Sequence, residues 1–153
     1  MQKMTLVFVV KGQRILLAMK KQGFGRGRWN GLGGKVKLGE NVEQAAKREA
    51  REEAGVKIAK MQKRGVLIFY PDKFPGGVEV HIYWVKEFTG KSTETKEMKP
   101  QWFKLSEIPF NKMWDADRYW MPFFLAGYKF TGEFVFDQKD KVISCQLQRV
   151  KKF

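Results

Sequence analysis

The segment Arg48-Glu49-Ala50-Arg51-Glu52-Glu53 constrains this chain more than any other. It closes a stretch, Asn41 to Ala54, that carries helix signals at both ends. Asn41 with Gln44 three residues on forms a capping-box pattern, and Gly55 is the residue a helix end favours. On a helix, Glu49, Glu52 and Glu53 stand at i, i+3 and i+4 and share one face. Three like charges there repel one another and lie near the negative end of the helix dipole. Packing gives no reason for such a face. A hard divalent cation does, because carboxylate oxygens suit it and a phosphate-bearing ligand completes its shell. The bland alternative is a solvated acidic face balanced by Lys47, Arg48 and Arg51. On the three carboxylates alone, the bland reading is the better one.

The elements around this helix set the fold class. Thr5–Val10 and Arg14–Met19 are apolar runs separated by Lys11-Gly12-Gln13, a hairpin pattern. Lys20 to Lys37 is rich in Gly and basic residues and reads as a loop whose backbone approaches something closely. Val66–Tyr70 and Val78–Lys86 read as strands flanking a Pro/Gly loop, and Gln101–Lys104 as another short strand. Ser106 to Met113 suggests a turn or short helix, and Tyr119 to Tyr128 a helix. Gly132–Asp137 and Lys141–Val150 suggest a closing hairpin. Strands, acidic helix, strands, helix, strands make a mixed-sheet α/β domain rather than an alternating parallel array. With no repeat or linker, residues 1–153 are read as one domain, long enough to close a hydrophobic core.

Composition narrows the partners. A net charge of +14 attracts polyanions of any kind, and alone it does not choose among nucleic acid, membrane and small triphosphates. Cys145 is the only cysteine, so no intramolecular disulfide is possible and a reducing compartment is expected. Leu6–Val10 is too short to span a bilayer and lacks a cleavage pattern, so the expectation is a soluble, cytoplasmic protein without membrane contact. His81 and Cys145 lie in strand-like stretches and read as structural, Cys145 as a small apolar strand residue.

The wider spacing overturns the bland reading of the helix. Gly34, Glu40, Arg48, Glu49, Ala50, Glu52, Glu53, Gly55 and Val56 follow G-x5-E-x7-R-E-U-x-E-E-x-G-U, with U apolar. Seven fixed residues at roughly one in fifteen each give a chance match of about 10⁻⁸ per starting point. This is the Nudix box, and the chain resembles the Nudix hydrolase family, although Ala50 is smaller than the aliphatic residue common there. The likeness extends to Gly27-Arg28-Trp29-Asn30-Gly31-Leu32-Gly33-Gly34-Lys35-Val36, to Glu97-Met98-Lys99-Pro100 with Trp102-Phe103, and to Ile108-Pro109-Phe110 with Met113-Trp114. In these stretches it is similar to the animal MutT homologues that sanitise oxidised purine nucleotides.

The resemblance implies an α/β/α sandwich with a mixed sheet. It also implies Mg²⁺-dependent hydrolysis (Mn²⁺ as an alternative) of purine nucleoside triphosphates such as 8-oxo-dGTP or 2-hydroxy-dATP, giving monophosphate and pyrophosphate. Glu49, Glu52, Glu53, Glu97 and the Gly33 carbonyl would ligate metal. Glu53 or Glu52 would assist water deprotonation, and Arg48 would hold a box glutamate in place. Lys20 and Lys35 would contact phosphates, beside Gly34. For the base, Phe24, Phe69 and Trp114 would form walls, with Thr5 and Val78 nearby, and Asn30, Asp115 and Asp117 would read the edge. An Asn amide both donates and accepts, which suits a nucleobase.

One departure concerns specificity. The animal enzymes carry two adjacent aspartates after the tryptophan and a proline, whereas this chain reads Trp114-Asp115-Ala116-Asp117. Two carboxyls in one pocket can share a proton and donate to a base carbonyl. Ala116 removes one partner unless Asp115 swings in to replace it, so base preference is expected to differ while the hydrolytic machinery stays intact. The expected partner is the nucleotide substrate of a monomer, with no stable nucleic-acid partner. Two other readings remain: a Nudix hydrolase of RNA 5′ caps or triphosphates, favoured by the +14 charge, and a non-catalytic nucleotide- or RNA-binding module. Keeping the carboxylate set intact argues against the latter.

Overall fold

In a computed structural model describing residues 1–153, the chain runs through eight strands and two helices. In order they are β1 (Gln2–Lys11), β2 (Arg14–Lys20), β3 (Trp29–Asn30), α1 (Val42–Ala54), β4 (Lys57–Tyr70), β5 (Val78–Thr89), β6 (Met98–Lys104), α2 (Asp117–Leu125), β7 (Lys129–Phe136) and β8 (Val142–Val150). Two single 3₁₀ turns, Leu105–Glu107 and Phe110–Lys112, precede α2. The sheet order is β3-β2-β1-β5-β4-β7-β8, with β6 on β2. The pairs β1/β5 and β4/β7 are parallel and the rest antiparallel, so the sheet is mixed as expected.

Alternation along the central strands builds a core on each face of the sheet. Leu6 and Phe8 of β1, with Ile15 and Leu17 of β2, point to the side where Trp120, Met121 and Phe124 of α2 pack. Val7 and Val9, with Leu16 and Ala18, point to the side covered by Ala46, Ala50 and Ala54 of α1. The alanines, none of them exposed, let α1 lie close to the sheet. A larger side chain there would overpack by about 1–3 kcal/mol. The α/β/α sandwich follows. No helix is long and apolar enough to cross a membrane.

The structure departs from the sequence reading in β4, in α2 and at Cys145. β4 begins at Lys57 rather than near Val66. Its first half carries Lys57, Lys60, Lys63 and Arg64, and register shifts between Ile58 and Lys60, Lys60 and Met61, and Lys63 and Gly65 break the two-residue period. The ladder to β5 forms regardless, because backbone pairing does not require an apolar pattern. α2 spans Asp117–Leu125 and includes Pro122 in its interior, rather than Tyr119–Tyr128. Cys145 is in a strand, as expected, but is exposed instead of serving as an apolar filler.

The Gly-rich loop approaches β1 itself. Val7 and Leu32 exchange both backbone hydrogen bonds, Thr5 N–H donates to the Gly34 carbonyl at 2.8 Å, and Val36 N–H donates to the Lys3 carbonyl at 3.0 Å. A Cβ on Gly33 would lie 1.9 Å from the Thr5 carbonyl oxygen, so only glycine permits this approach. The loop is thereby fixed alongside the strand next to the C-terminal half of α1.

Candidate active site

The helix α1 begins with the capping box read from the sequence: Gln44 N–H donates to Asn41 Oδ1 and Asn41 N–H to Gln44 Oε1, both at 2.8 Å. It ends at Gly55 in the left-handed region. Between these stops the acidic face meets the Gly-rich loop.

Glu53 lies deepest. Its side chain is buried, and Oε1 accepts the Gly33 N–H at 2.7 Å. Burial pushes its carboxyl up to about 8, and the neighbouring Glu49 and Glu97 push the same way, while the Gly33 N–H and Lys20 oppose. The Gly33 carbonyl beside it accepts no backbone hydrogen bond. Lys20 extends from the end of β2 with its ammonium by Gly23. The structure thus brings Lys20, Gly33, Glu49, Glu53 and Glu97 into one neighbourhood.

Arg48 organises the remainder. Its Nε and Nη2 donate to the two oxygens of Glu40 at 3.1 and 2.7 Å, a bidentate pair. Nη1 reaches Glu49 at 2.8 Å and Glu52 at 3.2 Å, and Nη2 also donates to the Lys35 carbonyl at 3.0 Å. The guanidinium and the Lys37 N–H hold the Glu40 carboxyl down to about 2. Arg48 therefore clips the loop to the helix. Gly34 completes the fit, since a Cβ there would lie 2.7 Å from the Glu49 carboxyl. Glu40 entered the sequence reading only as a motif position, and the clip makes it a positioning residue.

The five oxygen donors expected for a metal are of the right chemical type, but they are not gathered. Glu49 and Glu52 turn onto Arg48, Glu52 and Glu97 are exposed, and no three acidic side chains converge closely enough to enclose an ion. The buried, proton-retaining Glu53 beside a free carbonyl is the observation that fits a cation. A positive charge there would relieve both the burial cost and the carboxylate repulsion. Lys35 is exposed, its side chain free of ion pairs.

The candidate base site lies at the other end of the Gly-rich loop. Phe24 and Trp114 pack with ring centroids 5.1 Å apart. Phe69 is half-buried against Phe134 and Phe136. Thr5 is buried, at the Gly34 carbonyl. Asn30 Oδ1 accepts the Gly31 N–H at 2.8 Å, which leaves the amide NH₂ to donate. Asp117 is buried at the start of α2, its Oδ1 accepting from Trp120 Nε1 at 3.0 Å and its Oδ2 without a partner. Burial alone pushes this carboxyl up to about 7, against the two hydrogen bonds that lower it. No second carboxylate is involved, because Ala116 is buried in its place. Asp115 does not compensate: Oδ2 accepts the Val142 N–H at 3.0 Å and Oδ1 pairs with Arg118 at 3.2 Å.

Two residues at this end were not singled out from the sequence. Arg28 stacks on the Trp114 ring at 4.1 Å, and Phe74 packs edge-on against Phe24 at 5.5 Å. Their sequence surroundings are ordinary loop, so only tertiary contact identifies them. His81 has Nε2 2.7 Å from Glu79 and a buried Nδ1 without a partner.

The NUDIX domain model matches residues 2–124. The chain is 46% identical over 149 residues to the oxidized purine nucleoside triphosphate hydrolase of Mus musculus, covering 97% of this chain and 96% of that one. It is 44% identical over 151 residues to the protein of the same name from Danio rerio, covering 97% and 95%. A MutT protein from Bacillus halodurans has the same fold, with a TM-score of 0.82 over 97% of this chain and 98% of that chain at 23% identity.

Proposed function

The chain belongs to the Nudix family, and on that premise we propose that it hydrolyses oxidised purine nucleoside triphosphates to the monophosphate and pyrophosphate, sanitising the nucleotide pool. Nudix hydrolases generally need divalent cations; Mg²⁺ is the proposed ion here, with Mn²⁺ able to replace it. The substrate class rests on the near end-to-end likeness to two enzymes named for it. The reaction class rests above all on one observation: Glu53, buried and raised to about 8, accepts the N–H of Gly33, whose own carbonyl takes no backbone hydrogen bond.

Glu49, Glu52, Glu53, Glu97 and the Gly33 carbonyl are the groups that would hold the cation. When bound, it supplies charge neutralisation along the triphosphate and acidifies the attacking water. Arg48 keeps Glu49 and Glu52 in reach and ties the loop through Glu40. Once a bound cation has displaced its proton, Glu53, with Oε1 occupied by Gly33, would offer Oε2 to the proton of the attacking water; Glu52, exposed on Arg48, is the poorer acceptor. Lys20 faces the same neighbourhood and meets phosphate oxygens, with Lys35 at its edge.

In the base site, Trp114, Phe24 and Phe69 supply the apolar walls, and the Asn30 amide donates to the purine. Asp117, titrating near neutrality, donates to a base carbonyl when protonated and accepts from an amino group when not. A single chain carries all of these groups, so the proposed working unit is a one-domain monomer; the lone Cys145, which implies a reducing compartment, makes the cytosol its proposed location. The test is hydrolysis of 8-oxo-dGTP, 2-hydroxy-dATP, dGTP and dATP in parallel. Preference for the oxidised pair supports the proposal, and equal efficiency on all four removes the sanitising pocket from it.

A further inference from the structure

Beside the proposed base site, and meeting it at Trp114 and Phe24, one cleft concentrates charge. Three loops enclose a groove of about 440 Å³: the segment between β2 and β3, the segment before α2, and the β7–β8 turn. Six basic side chains line it, against two carboxylates. Both carboxylates are engaged, Asp140 with Arg28 at 3.3 Å and Asp115 with Arg118 at 3.2 Å. Asp137 below the turn is occupied by the Lys139 and Lys141 backbone N–H groups. Arg26, Lys112, Lys139 and Lys141 are exposed and have no ion-pair partner. Four unpaired cations around one concavity repel one another, and stability gives no reason to collect them.

The groove does not end in solvent. Met113 and Asp115, two of its lining residues, flank Trp114, whose ring is covered by Arg28, a third. From Trp114 the aromatic surface continues to Phe24 at 5.1 Å and on to Phe74 at 5.5 Å. Phe24 and Phe74 are 45% and 47% exposed, values that core aromatics do not have. A cationic groove leading onto exposed rings is the arrangement that holds a single nucleic-acid strand: the groove follows the phosphates and the rings stack the bases. A free nucleoside triphosphate places its single base on Phe24 and Trp114 and leaves Phe74 and the four unpaired cations unused, and an anionic membrane surface has no use for a concavity.

We propose that this groove binds single-stranded nucleic acid weakly and in a salt-sensitive way, with phosphates on Arg26, Lys112, Lys139 and Lys141 and a base on the Phe24–Phe74 surface. This binding needs no hydrolysis, although it shares Phe24 with the proposed base site.

Fluorescence anisotropy of a labelled ten-nucleotide oligo(dT), read on the full chain between low and moderate salt without divalent cation, tests it. With four phosphate contacts, log Kd against log salt should have a slope of about 3 in magnitude, at roughly 0.7 per neutralised phosphate. The triple variant Lys112→Gln, Lys139→Gln, Lys141→Gln should weaken binding at least tenfold and lower the slope by about 2. A control triple variant with the same loss of charge elsewhere, Lys57→Gln, Lys86→Gln, Lys152→Gln, should stay within about twofold of the parent. Phe74→Ala should weaken binding several-fold with the slope unchanged. All of these side chains are exposed, and matching circular dichroism melts verify folding. Equal loss in the two triple variants, or no loss in the groove variant, overturns the proposal. So does displacement of the oligonucleotide by inorganic tripolyphosphate at equal phosphate concentration, which would make the ligand a short polyphosphate. Intact oligonucleotide binding by a protein that fails to hydrolyse triphosphates would leave this inference standing and remove the hydrolase reading.

Discussion

At the scale of single residues, the proposed chemistry rests on two buried carboxyls with raised pKa values. Glu53 sits where a cation would relieve it, and Asp117 sits where a base would. Replacing Glu53 with Gln removes the carboxylate that a bound cation would stabilise and keeps the shape and the Gly33 hydrogen bond. kcat should fall at least ~100-fold, within the range general-base catalysis supplies, with the melting temperature unchanged or raised. For Asp117 the sign depends on the base. A protonated carboxyl donates to the 6-carbonyl of 8-oxo-dGTP, whereas the carboxylate accepts from the amino group of 2-hydroxy-dATP. As pH rises through about 7, the ratio of kcat/KM for the guanine over the adenine substrate should fall. In Asp117→Asn that ratio should be flat with pH, which steady-state profiles would read directly. The Nudix motif made Glu53 legible in the sequence. The state of Asp117 was not, since its proton is held by burial beside Trp120, and the sequence suggested Asp115 as a substitute partner that Val142 and Arg118 in fact occupy.

Among the elements, α1 and the Gly-rich loop form one working piece, fastened by Arg48 and by glycines that permit contact. Gly34→Ala would place a Cβ 2.7 Å from the Glu49 carboxyl. This should push Glu49 off Arg48, lowering kcat about tenfold or more while stability falls by only about 1–2 kcal/mol, the usual range for a point substitution. Asn41→Ala has the opposite profile. It removes the cap at the distant end of the helix, costing about 1 kcal/mol, with activity per folded molecule unchanged. Denaturant melts alongside kcat separate the two. The helix was legible because its caps and its motif are local signals. The first half of β4 was not, because shifts in register hide its alternation and its partners sit at the open end of the hairpin with β5, Lys57 opposite Thr89. The loop's strand-like path along β1 was half legible: its glycines announced a close approach but not to what.

On the scale of the whole molecule, the sheet places the acidic helix on one face and the Trp120–Phe124 helix on the other, so the site lies where the loops of both layers meet. The two raised carboxyls also give the metal-free protein a pH signature. Each binds its proton more tightly folded than unfolded, so each contributes stability that is complete below the ordinary carboxyl range and lost as pH rises through about 7 for Asp117 and about 8 for Glu53. Thermal melts in chelator should therefore decline across that window, and the double variant Glu53→Gln, Asp117→Asn should decline less. The fold class was legible from element order, and the excess of positive charge was legible as a total. Its concentration in one groove required the three loops to be brought together. The most direct test of the central claim is product analysis with 8-oxo-dGTP and Mg²⁺, comparing the parent with Glu53→Gln. Mg²⁺-dependent release of pyrophosphate and 8-oxo-dGMP by the parent, lost in the variant, is the predicted result; release of diphosphate and orthophosphate, or undiminished activity in the variant, would contradict it.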